Sequence, residues 1–167
     1  RSAVVVRADG GVATGATSAP GGPHAEIAAL AAAGDARGAT LYCTLEPCAH
    51  VGRTGPCADA IVAAGVARVV VGIEDPDARV RGRGIARLRD AGVEVTLGVR
   101  ADDVRAQLAP YLHHRRTGRP YVVAKMAATL DGRTADAAGA SRWITGDAAR
   151  RRVHEMRAES DAVLVGA

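Results

Sequence analysis

A chain of 167 residues, 48% of them hydrophobic, suits one ordinary domain, or one small domain and part of another. Its net charge of +4 comes from scattered arginines, with Lys125 the only lysine; this describes a solvated basic surface and argues against a nucleic-acid partner. An odd count of three cysteines argues against a disulfide scaffold and for a reducing, cytoplasmic compartment, and no apolar run approaches the roughly 20 residues of a membrane span.

Aromatic residues make up only 2% of the chain and Phe is absent, so the core must be built from many small contacts between Ala, Val, Leu and Ile. Residues 3–7 and 12–15 read as two short strands joined by the hairpin signal Asp9-Gly10-Gly11. A Gly/Pro/Ser loop follows, over residues 17–23. Residues 24–33 are Ala-rich and helical, with Gly34 as the cap. Residues 40–44 form a strand, 46–56 an irregular loop, and 57–64 a helix ending at Gly65. The Val-rich run 68–73 reads as a strand buried on both faces. Beyond the loop 75–84, the pattern gives a helix over 85–91, a strand over 93–97, and a helix over 101–116 interrupted or bent at Pro110. A hairpin followed by alternating helices and strands predicts an α/β layered sandwich.

Thr117-Gly118-Arg119-Pro120 interrupts that pattern, which places a domain boundary near residue 118. A strand over 121–126, a turn at Asp131-Gly132-Arg133, a helix from Thr145 or Asp147 to about residue 159 and a buried strand over 163–166 are expected after it. The chain opens at Arg1 rather than Met and stops just after an apolar run, so it is expected to be an excerpt of a longer protein.

The chemistry concentrates in two stretches, Pro23-His24-Ala25-Glu26 and Pro47-Cys48 through Cys57. His24, Cys48 and Cys57 supply three metal ligands. Three leave the fourth tetrahedral position open, as in a catalytic zinc rather than a closed structural one. Glu26, two residues after His24, is placed to carry protons for a water that zinc acidifies, the His-x-Glu…Pro-Cys…Cys pattern of zinc nucleobase deaminases. Cys57 opens a helix, whose N-terminus favours the thiolate form. Cys43 lies inside a strand and reads as structural. His50 and Arg53, between the two cysteines, are assigned to substrate contact, with Arg53 suited to a phosphate; a loop hydrogen bond or a surface charge is the plainer reading of each.

These stretches resemble the bifunctional riboflavin-biosynthesis deaminase/reductase. The resemblance rests on Gly21-Gly22-Pro23-His24-Ala25-Glu26 and on Thr44-Leu45-Glu46-Pro47-Cys48-Ala49-His50-Val51-Gly52-Arg53-Thr54-Gly55-Pro56-Cys57, where eight residues separate the cysteines. It extends through Gly72-Ile73-Glu74-Asp75-Pro76, Ala124-Lys125-Met126 to Arg133, and Ser141-Arg142-Trp143-Ile144-Thr145. The resemblance implies a cytidine-deaminase-like three-layer α/β sandwich with a mixed sheet over residues 1–118, lacking the family's N-terminal helix. It implies the start of a dihydrofolate-reductase-like domain over 119–167.

The implied reaction of the first domain removes ammonia from a diaminopyrimidinone ribosylamine phosphate, a small phosphorylated pyrimidine, with Zn²⁺ on His24, Cys48 and Cys57 and Glu26 as proton shuttle. The second would reduce the ribosyl group with NADPH, matching Ala127 and Trp143 to cofactor contacts and Ser141 and Arg157 to substrate contacts. The resemblance also implies self-association through the reductase domain. Because that domain's later cofactor-binding elements lie beyond Ala167, this chain alone is expected not to bind NADPH measurably. Ala78 and Arg81 depart from the family's usual Pro and small residue. Two other readings stand beside this one. A nucleic-acid base deaminase is opposed by the long cysteine spacing and the scarcity of aromatic residues for stacking a base. A purely structural zinc module is opposed by the third-ligand count and the placement of Glu26.

Overall fold

The Asp9-Gly10 turn folds β1 (Ser2–Val6) onto β2 (Val12–Ala16) in the computed structural model, which describes residues 1–19, 21–51 and 55–166. Gly10 takes a φ of 85°, and the Gly11 amide donates to the Asp9 carboxylate at 2.8 Å, so the turn residues act through their own backbone chemistry. β1 also pairs antiparallel with β3 (Thr40–Leu45). β4 (Arg68–Ile73) and β5 (Glu94–Leu97) follow in parallel, giving one mixed sheet of order β2-β1-β3-β4-β5. The parallel pairs need crossovers, which α2 (Cys57–Ala63) and α3 (Arg83–Asp90) supply.

By contact, the chain divides into two units, Arg1–Tyr121 and Val122–Ala167. In the first, α1 (Ala25–Ala33) presents Ala25, Ala29 and Ala33 at four-residue spacing to the sheet. Small side chains let the two backbones come close. A Cβ on Gly15 of β2 would stand 2.2 Å from the Ala25 carbonyl and 2.4 Å from the Ala29 nitrogen. The same cluster takes in Ala58 and Ile61 of α2 and Leu88 of α3, against Val5, Leu41, Cys43, Val69 and Val71 on alternating strand positions. This is how a core without Phe closes, and it fixes where the N-termini of α1 and α2 end up.

Five successive β4 residues, Val69 to Ile73, are buried, as a central parallel strand requires. Gly72 points away from Val71, and a Cβ there would meet Val104 of α4 (Ala101–Gln107) at 2.8 Å. Val104, Leu108 and Leu112 form a second cluster with Leu45 and Ile73. The helix expected over 101–116 is interrupted, as α4 and α5 (Ala109–Thr117). Leu108 lies between them, and Pro110 sits in the first turn of α5, where its missing N–H costs nothing.

The second unit departs from expectation. Residues 121–126 and 163–166 form no strand, because no neighbouring segment pairs with either among the described residues. Val122 is 79% exposed, and Leu164, in the run expected to be a buried strand, is 100% exposed. The expected helix is present as α6 (Asp147–Ala158) and buries no residue. No described helix is long and apolar enough to cross a membrane.

Candidate active site

His24 is the N-cap of α1, with an extended backbone that turns its ring off the helix axis. Cys57 is the first residue of α2 and is fully buried. Cys48 reaches the same point from the loop after β3, and its carbonyl accepts the Ala58 amide at 3.0 Å. The close packing of α1 and α2 on one face of the sheet therefore brings together three residues that the sequence separates. His24 Nδ1 lies 3.1 Å from Cys57 Sγ and 3.6 Å from Cys48 Sγ, and the three ligand atoms all fall within 4.8 Å of one another. Around a tetrahedral zinc, Zn–S near 2.3 Å and Zn–N near 2.0 Å put sulfur and nitrogen about 3.5 Å apart. The donor set and its spacing fit that ion.

The two thiols differ in kind. Cys48 is pushed down to about 5, first by its hydrogen bond with the Cys57 thiol, then by the Cys57 amide at 3.3 Å and by His24. Cys57 is pushed far up, by the same shared proton and by burial. The first amide of α2, that of Cys57, points at the Cys48 sulfur. Cys43 is buried in β3, where burial raises its thiol well above the ordinary range, in keeping with a structural residue.

Glu26 lies in the first turn of α1 and is 8% exposed. Burial pushes its carboxyl up; the nearby His24 charge pulls the other way and Cys48 adds to the rise. A carboxyl so placed holds a proton more readily than one in water, which suits an acid–base group. His50 is half-buried, and its Nδ1 is buried without a hydrogen-bond partner among the described residues. Arg53 lies outside the described residues. Ala127, Ser141, Trp143 and Arg157 belong to the second unit. There Trp143 is 70% exposed, with the Arg150 and Arg142 guanidinium groups 4.4 and 5.8 Å from its ring centre. Arg157 is exposed on α6.

Sequence reading missed two buried acids. Glu46 immediately precedes the Pro47-Cys48 ligand loop, and its carboxylate accepts four backbone amides. Asp75 accepts the Tyr111 hydroxyl at 2.8 Å and the Asp77 amide at 2.9 Å. The available signal was an acidic residue beside the ligand loop together with Gly82-x-Gly84 opening a helix, since a helix N-terminus collects anions.

A five-stranded mixed sheet carrying a His-Cys-Cys cluster and a buried Glu at two helix N-termini defines the zinc-dependent deaminases of the cytidine-deaminase fold. Residues 2–73 match the family model of the cytidine and deoxycytidylate deaminase zinc-binding region, and residues 120–167 match that of the RibD C-terminal domain. The riboflavin biosynthesis protein RibD of Escherichia coli is 52% identical over 145 residues, 86% of this chain and 40% of the relative. RibD of Aquifex aeolicus is 47% identical over 165 residues, 98% of this chain and 46% of the relative. A Thermotoga maritima crystal structure named diaminohydroxyphosphoribosylaminopyrimidine deaminase/5-amino-6-(5-phosphoribosylamino)uracil reductase superposes with a TM-score of 0.86 at 44% identity, covering 93% of this chain and 45% of that one. Along most of its length the chain is similar to the RibD riboflavin biosynthesis proteins, the deaminase zinc-binding region first and the RibD C-terminal domain after it. It spans less than half the length of these relatives.

Proposed function

We propose that the Arg1–Tyr121 unit is a zinc-dependent deaminase of riboflavin synthesis, acting on a diaminopyrimidinone ribosylamine phosphate. The observation that carries this is the convergence of His24 Nδ1, Cys48 Sγ and Cys57 Sγ within 4.8 Å, beside the buried Glu26. Zinc held by these three groups supplies Lewis acidity and lowers the pKa of water into the neutral range. The chain's own residues do the rest. Glu26 takes a proton from the attacking water, whose oxygen bonds to the ring carbon bearing the exocyclic amine, and passes it to the substrate nitrogen, so that the exocyclic C–N bond breaks, a carbonyl forms and ammonia leaves. The buried Nδ1 of His50, without a hydrogen-bond partner among the described residues, suits a polar group of the substrate. Arg53 supplies a guanidinium suited to the substrate phosphate. The scarcity of aromatic residues argues against a flipped nucleic-acid base as substrate, and the reduced cysteines suit a cytoplasmic enzyme.

The remainder, from about residue 119, begins the reductase of the same pathway. This rests on the match to the RibD C-terminal domain. An exposed indole beside two guanidinium groups is a donor set that suits a flat ring and a phosphate. Ala127 and Trp143 are therefore assigned to NADPH in the intact protein, Ser141 and Arg157 to its substrate, and self-association to the reductase domain.

The test is ammonia release from the diaminopyrimidinone ribosylamine phosphate by the intact protein, with zinc measured on the same sample. About one zinc per deaminase unit together with ammonia release is expected. Zinc without ammonia release would overturn the substrate assignment and leave the metal site standing.

A further inference from the structure

We infer that Glu46 is a positioning residue of the metal site, fastening the Cys48 loop to the N-terminus of α3; the role rests on the zinc reading above. Glu46 Oε1 accepts the amides of Gly84 at 2.8 Å and Ile85 at 3.2 Å, and Oε2 accepts those of Gly82 at 2.9 Å and Asp75 at 3.2 Å. Its own amide donates to the Ile73 carbonyl at 3.0 Å. The residue is 3% exposed, and it faces the helix end where backbone N–H groups lack intrahelical partners.

The contact is close enough to set position. A Cβ on Gly84 would stand 1.8 Å from the Pro47 carbonyl, so only glycine lets α3 meet the residue just before Cys48. From the other side, the Ala58 and Cys57 amides reach the Cys48 carbonyl and sulfur at 3.0 and 3.3 Å. Cys48 is thus held between two helix N-termini, one acting directly and the other through Glu46. Of the three ligands, Cys57 lies in α2 and His24 caps α1, whereas Cys48 sits in a loop, so it is the one that needs an external brace.

Glu46→Gln keeps the size of the side chain but turns an NH₂ group towards amides that need an acceptor. In the intact protein, this variant is expected to bind one zinc per deaminase unit and to release it to EDTA at least about tenfold faster than wild type. Gly84→Ala pushes the Pro47 carbonyl from the opposite side and is expected to speed release likewise, which keeps the role testable if Glu46→Gln does not fold. Val5→Ala, a core truncation in β1, controls for lost stability and should release zinc at the wild-type rate. Wild-type release rates in both site variants, or equal acceleration by Val5→Ala, would overturn the role. A wild-type protein that binds no zinc would overturn the metal reading itself.

Discussion

At the scale of single residues, the site depends on unlike surroundings for similar groups. Glu26 is a carboxyl whose burial costs free energy in its charged form, and that cost is what fits it to hold and pass a proton. Glu26→Gln keeps the shape and removes the titration. It is expected to retain about one zinc per deaminase unit while ammonia release falls by at least about a hundredfold; near-normal turnover would remove the role. Asp77 behaves in the opposite way. The Arg79 guanidinium, bonded to it at 2.8 and 3.0 Å, holds its carboxyl well below the usual range, with Arg115 adding at 3.5 Å. Such a depressed group contributes stability that is complete above its unfolded value, about 3.9, and is lost as pH falls through the lower folded value. Asp77→Asn should therefore lower unfolding free energy by about 1 kcal/mol at pH 7, solvent screening included, and the gap should close in acid. Urea titrations at pH 7 and below pH 3 would show it; a constant gap would point to packing instead.

At the scale of elements, the site stands where it does because α1 lies close against the sheet. Gly15 is the contact that permits this on α1, since the neighbours a Cβ would strike are backbone atoms that cannot swing aside. Gly15→Ala is expected to cost about 3 kcal/mol, read as a lower urea midpoint, and to loosen zinc by moving His24. A stable variant with unchanged zinc affinity would show that α1 has room to shift. The hairpin, α1, β3, α2 and β4 were legible in the sequence to within a residue or two, because turn glycines, alternation and caps are local signals. The break between α4 and α5 was legible only as Pro110; where the second helix starts depends on Leu108 packing against Leu45 and Ile73.

At the scale of the molecule, the buried residues described all fall in Arg1–Tyr121, as do the three ligands and Glu26. A chain ending at residue 121 should accordingly unfold in one cooperative transition and bind zinc as tightly as the longer one; loss of either would make Val122–Ala167 part of the same folding unit. The sequence by itself singled out His24, Cys48 and Cys57, which converge, the buried Glu26 two residues after His24, and the order of elements in the first unit, because each is written in residue type and short spacing. Only the tertiary structure decided the rest. Glu46 meets Gly84 across 38 positions, and an amide of the next helix points at the Cys48 sulfur. Among the described residues nothing pairs with the apolar runs 121–126 and 163–166: an apolar run records only a capacity to pair, and a strand exists only where a partner supplies the ladder.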